Sequence, residues 1–137
     1  MNIRQQIINE LVDRMKAISG VKGVYPWRIT ELAPSETPII IIKDTIDSMP
    51  EDGVIGRIDH ELTVELSALF FGNDATEEAR EMIASIAAAI GTDSTFSGLV
   101  YDTIITSAEI SVDDAGQLNT TATLSIIINY RSDLWTL

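Results

Sequence analysis

Few residues in this 137-residue chain could do chemistry, and His60 is the first of them. It is the only imidazole, which rules out the His-pair metal motifs and leaves it to work as a general base or as a buried structural group. It sits on the apolar face of an alternating segment, with no Ser or Cys nearby in sequence to activate, so the structural role is expected. Glu61 and Glu65 fall on one strand face four residues apart, too far along a strand to share a proton. Asp113-Asp114-Ala115-Gly116 lacks the alternating acids and terminal glutamate of a calcium loop and reads as a hairpin turn. Gly20, Gly23, Gly53 and Gly56 have no Gly-Lys-Ser/Thr behind them, so no phosphate loop is present. Around Ser97, Thr95 and Leu99 stand where a nucleophile elbow needs glycines. The absence of cysteine removes disulfides, thiol nucleophiles and Cys-containing zinc sites. Nothing in these patterns supports catalysis, and no catalytic residue, cofactor or metal is expected.

Composition points the same way. Nine Lys and Arg against 21 Asp and Glu leave a formal charge of −12. Nonspecific nucleic-acid binding needs clustered cations, so phosphate is repelled. Residues 1–43 hold six basic and four acidic side chains, net +2; residues 44–137 hold three and 17, net −14. That asymmetry favours head-to-tail self-contact. No apolar run approaches the ~18 residues of a membrane span, and MNIRQQII lacks the apolar stretch of an export leader. One domain over residues 1–137 is expected.

Periodicity then supplies the elements. Ile3, Ile7, Leu11, Met15 and Ile18, flanked by Ile8 and Val12, form an amphipathic helix, with Glu10–Arg14 and Asp13–Lys16 as exposed pairs and Gly20 as a stop. Val21 to Trp27 reads as a short strand. Pro38 leads Ile39–Ile42, a run with no polar face that should be buried on both sides. Asp44 to Gly56, with Pro50, two glycines and four acids, reads as a functional loop, mobile in the free protein and ordered against a neighbour; Arg57 at its end is its one cation. Ile58 to Phe70 alternates strictly, with His60, Leu62, Val64, Leu66, Ala68 and Phe70 opposite Asp59, Glu61, Thr63, Glu65 and Ser67. Asn73 or Asp74 can cap a second helix whose stripe is Met82, Ile83, Ile86, Ala87 and Ile90, ending at Gly91. A closing hairpin follows. Ile104, Thr106, Ala108, Ile110 and Val112 share one face of its first strand, and Leu118 to Tyr130 is the return. Arg131 to Leu137 is a tail carrying Trp135 and Leu137.

These elements predict an α+β fold: a mixed or antiparallel sheet of about five strands with two helices, in the order α-β-β-β-α-β-β. The expected core includes Ile7, Leu11, Leu62, Val64, Leu66, Ile83, Ile86, Ile110, Leu124 and Ile126. Isoleucine on both sheet faces calls for one helix per face or a neighbouring subunit, and an aromatic tail suits an interface anchor. Self-association is therefore expected, with Asp44, Asp47, Met49 and Arg57 from the loop, and Tyr130, Arg131, Trp135 and Leu137 from the C-terminal end, as interface candidates.

In order and length the elements resemble the tail terminator (tail completion) proteins of long-tailed bacteriophages. The resembling stretches are IRQQIINELVDRMKAI, GVKGVYPW, ETPIIIIKD, HELTVELSALFFG, ATEEAREMIASIAAAIG, SGLVYDTIITSAEIS and TATLSIIINYRSDLW. The resemblance implies a homo-hexameric ring seated on the tail tube protein, which ends tube polymerisation and offers a surface to a head-completion or connector protein. It implies a virion component, made in the host cytoplasm, through which DNA passes without specific binding. In such a ring Asp59, Glu61 and Glu65 are candidates to face the pore. Another neck or tail-tube component is the alternative within structural proteins. A small oligomeric enzyme using carboxylates is the alternative outside them, and a closed ligand pocket around His60 would favour it.

Overall fold

The computed structural model describes residues 2–27, 37–50, 56–71, 75–113 and 119–133. The chain runs α1 (Ile3–Lys16), β1 (Gly23–Pro26), β2 (Ile39–Ser48), β3 (Arg57–Phe71), α2 (Thr76–Gly91), β4 (Asp102–Asp113) and β5 (Asn119–Asp133). The strands form one sheet in the order β1-β2-β3-β5-β4, with β1 parallel to β2 and every other neighbour antiparallel. The expected α+β architecture and element order are both present.

Alternation along β3 decides which side the helices take. His60, Leu62, Val64, Leu66, Ala68 and Phe70 point to one face and are buried. Their partners on β5 (Tyr130, Ile128, Ile126, Leu124, Ala122 and Thr120) are buried beside them. Both helices pack there: Ile7, Ile8, Leu11 and Met15 of α1 and Ala79, Met82, Ile86 and Ile90 of α2 join Ile40 and Ile42 in one core. Ile83 and Ile110, expected in the core, pack against it half-buried. One helix per face is thus not the solution; among the described elements, no helix covers the opposite face. Ile39 and Ile41 on that face are buried nonetheless, as their uninterrupted run requires.

The helices are tied by α1's arginine. No basic side chain lies in the last turn of α2, whose carbonyls need donors. Arg14 supplies them, donating from Nη1 to the carbonyls of Ile90 (3.1 Å) and Asp93 (2.8 Å), while Nε bonds Glu10 (3.1 Å) and the guanidinium lies 4.4 Å from the centre of the Phe96 ring. The Glu10–Arg14 pair is therefore a half-buried strut and not a solvated ornament. At the other end of α2 the N-cap position is Ala75, which offers no side-chain cap; Asn73 and Asp74 lie outside the described residues.

Two bulges alter the expected phases. In β2, Asp44 pairs with Val64 and Ile46 with Thr63, leaving Thr45 extra. In β4, Ile105 pairs with Ile126 and Ser107 with Ser125, leaving Thr106 extra. Each extra residue is a threonine whose hydroxyl donates across to a carbonyl, Thr45 to Thr63 (3.4 Å) and Thr106 to Ser125 (3.1 Å). As a result Ile104 lies on the helix-free face opposite Ile127, while Ala108 and Ile110 lie on the helix face; the single face expected for Ile104 to Val112 is split. Two segment boundaries also change. Asp44–Ser48 is not loop but the second half of β2, paired with Glu61–Val64. Arg131–Asp133 is not tail but strand, paired with Arg57–Asp59. Backbone pairing along a long β3 outweighs local polarity in both places. Residues 51–55 of the expected loop, and Trp135 and Leu137, lie outside the described residues.

Leu66 is fully buried between Ile42 and Leu124. Leu66→Ala should therefore lower unfolding free energy by roughly 2–5 kcal/mol in urea melts, whereas unchanged stability would show that this strand face is not core.

Candidate functional site

Polar groups converge at the end of the core where β2, β3 and β5 meet α1. The bulge at Thr45 turns Asp44 and Asp47, three residues apart, to the same helix face. Asp47 there accepts from His60 Nδ1 (2.8 Å) and from the Tyr130 hydroxyl (2.6 Å), and His60 Nε2 meets Ser132 Oγ at 2.7 Å. His60 and Tyr130 are cross-strand partners with stacked rings, 4.2 Å between centroids and 11° from parallel. Arg4 reaches down from α1 to bond Asp44 through Nε (2.6 Å), with Nη1 3.8 Å from Asp47.

Ser132, His60 and Asp47 stand in the donor order of an acyl-transfer relay. A carboxylate only accepts, so His60 Nδ1 donates to Asp47 and its other nitrogen shares one proton with Ser132. The surroundings do not suit attack on a substrate. Ser132 is 3% exposed and His60 1%, with the Tyr130 ring lying over the imidazole, so both groups are withdrawn from solvent. The network instead satisfies buried polar groups and pins α1 to the sheet. It is invisible in local sequence, because its members are separated by 13, 72 and 83 positions.

Asp44 also accepts from Trp27 Nε1 (2.7 Å). Burial alone would raise its pKa, but the hydrogen bonds from Trp27 and Arg4 hold the carboxyl below its ordinary value. Trp27 has φ +52°, unusual for a bulky residue. The Trp27 amide donates to the Ile42 carbonyl at 3.1 Å, continuing the parallel ladder past Pro26. The indole is half exposed, with Lys43 Nζ 5.8 Å from its ring.

The second feature is the helix-free face. Cross-strand register places Asp59, Glu61, Glu65, Asp102, Glu109, Asp113 and Asp133 on it, against Lys43, Arg57 and Arg131. Asp59 accepts from Arg131 Nε at 2.7 Å, and Glu65 lies opposite Lys43. Glu61 is exposed. Among the described residues this side of the sheet is mostly acidic, apart from the buried Ile39 and Ile41.

The expected interface residues divide accordingly. Asp47 and Tyr130 are internal, committed to each other, and Tyr130 is 1% exposed. Asp44 is held by Arg4 and Trp27. Met49 is exposed just beyond β2, and Arg57 is exposed at the start of β3 with Asp133 3.8 Å away. Arg131 stands on the open face between Asp59 and the Tyr101 ring. Sequence reasoning passed over Trp27, Tyr101, Ile104, Ile105 and Val112, all large and exposed. Alternation placed Ile104 and Val112 on one face with Ala108 and Ile110; the bulge puts Ile104 on the helix-free face, and at the sheet edge Ile104, Ile105 and Val112 are all exposed.

No protein-family model and no curated protein matches this chain. Its fold does match a chain of the virion of a native gene transfer agent particle. The TM-score is 0.53 at 8% identity, and the match covers 89% of this chain and 92% of that one. At that identity the shared property is the fold.

The polar network gives the fold two pH limits. Burial, then the hydrogen bond and charge of Asp47, push the Tyr130 phenol well above its ordinary value. Its contribution is complete below about pH 10 and lost as pH rises through the folded pKa. The stability advantage of the parent over Tyr130→Phe should therefore shrink in melts taken above pH 10. Asp44 behaves oppositely: its contribution is present above about pH 4 and lost as pH falls through the lowered folded value. Trp27→Phe should raise the Asp44 pKa, measured by carboxyl NMR titration, and move acid unfolding to higher pH.

Proposed function

We propose that this protein is a tail terminator: a structural component of a phage-like virion that forms a hexameric ring on the last ring of a tail tube. In this reading it ends tube growth and presents a surface to the head-completion protein. The observation that carries the reading is the fold match, over nearly the whole of both chains, to a component of a gene transfer agent virion. The open sheet face supports it. A layer with helices on one side only is well suited to stand in a ring, helices outward and sheet inward. The inward wall would then bear Asp59, Glu61 and Glu65, which repel passing DNA. The burial of Ser132 and His60 favours this reading over the enzyme.

Native mass spectrometry of the purified protein, alone and with tubes of its cognate tube protein, tests the proposal. Six copies on one tube end, with tube lengthening arrested in electron micrographs, is the expected result. Tubes that keep growing in its presence would overturn it. The pore wall has its own test. Single neutralisations should change little, because exposed charges are screened over ~8–10 Å at physiological salt. Reversing Asp59, Glu61 and Glu65 together to lysine should create salt-dependent duplex binding in fluorescence anisotropy where the parent shows none.

A further inference from the structure

We infer that the outer edge of β4 is the surface by which one copy joins the next, pairing with the β1 side of a neighbouring copy so that the sheet runs on across subunits. This rests on the ring reading above and specifies its contact. β4 is twelve residues long and is bonded within the described sheet only to β5. Ten of its residues are exposed, Thr103 and Ile110 being the half-buried exceptions. Ile104 (50%), Ile105 (48%) and Val112 (49%) leave apolar surface in water. Its sequence, DTIITSAEISVD, has none of the lysines or prolines that keep a long edge strand from pairing.

Charge selects the occupant. Asp102, Glu109 and Asp113 are the strand's charged groups, all negative. Antiparallel pairing of β4 with a second β4 would set Asp102 of one copy against Asp113 of the other, which is unfavourable, and a twofold contact closes at a dimer. The opposite edge of the described sheet has the complementary character. Lys22 is exposed before β1, Lys43 stands on β2 over Trp27, and Tyr25 and Trp27 are exposed aromatics. A head-to-tail joint between these edges is heterologous, as a ring requires. It also keeps like faces together. Tyr25 lies on the helix-free face, as do Ile104, Ser107, Glu109 and Ser111. The acidic walls of successive copies would then merge into one surface.

The chain has no cysteine, so an introduced pair reports this contact directly. Tyr25→Cys protein is mixed with protein carrying Ile104→Cys, Ser107→Cys, Glu109→Cys or Ser111→Cys, each first checked by melting, and the mixtures are oxidised. Residues directly opposed on neighbouring strands have Cα atoms about 4.5–5.5 Å apart, inside the roughly 4.4–6.8 Å range of a disulfide. The expected result is a linked dimer in at least one mixture and in neither of its components alone. Native mass spectrometry of the unmodified protein runs alongside. A ring whose mixtures stay unlinked, or β4 variants that link to themselves, overturns the edge contact and leaves the ring standing. An unmodified protein that never assembles, alone or on tubes, overturns both.

Discussion

The pairing of β3 with β5 holds the rest of the molecule in place. It runs without a break from Arg57–Asp133 to Phe71–Asn119. Because side chains alternate, that one register assigns every residue of both strands to a face. A slip of one position would carry Leu62, Val64 and Leu66 to the acidic side and Glu61 and Glu65 against the helices. Burial of two carboxylates without partners would cost far more than any local gain could offset. β2 and β4 then add to the outer sides of this pair, and α1 and α2 cover the face it has made apolar.

Much of this was legible in the sequence. Both helices announce themselves by i, i+4 stripes, and β3 by its uninterrupted alternation, since in each case one face is buried along the whole element. Asp44–Ser48 and Arg131–Asp133 were harder to read. Their residues are polar or mixed, and they are strand only because β3 is long enough to pair with both. His60 was readable as buried, from its place among Leu62, Val64 and Leu66, but its partners were not. Asp47, Tyr130 and Ser132 come to it through tertiary closure, and the Thr45 bulge that aims Asp47 inward has no local signature. The phase of β4 was misread for the same reason at Thr106.

The two faces of the sheet do different physical work. On the helix side three polar clusters are enclosed and satisfied: Asp47 by His60 and Tyr130, Asp44 by Arg4 and Trp27, the end of α2 by Arg14. Beyond α2 the loop is also held, with Asp93 accepting from Thr95 Oγ1 (2.8 Å) and the Ser97 amide (2.7 Å); these bonds keep its carboxyl below the ordinary range. Such a layer resists deformation. On the other side Ile39 and Ile41 are buried, while carboxylates outnumber cations along the rest of the described face and Asp59 is bonded to Arg131. Rigidity behind and charge in front suit a part that works by shape and field.

The threonine bulges also bear on how such a chain can change over generations. Substitutions at Thr45 or Thr106 keep the residue count, whereas loss of either residue rotates everything beyond it by half a pleat. In β2 that would swing Asp47 to the helix-free face and strand the imidazole and phenol it serves; in β4 it would turn Ala108 and Ile110 away from the helix face. Insertions and deletions in these two strands are therefore the lesions least open to repair, and descendants of this sequence should keep its spacing there even where the two threonines themselves are replaced.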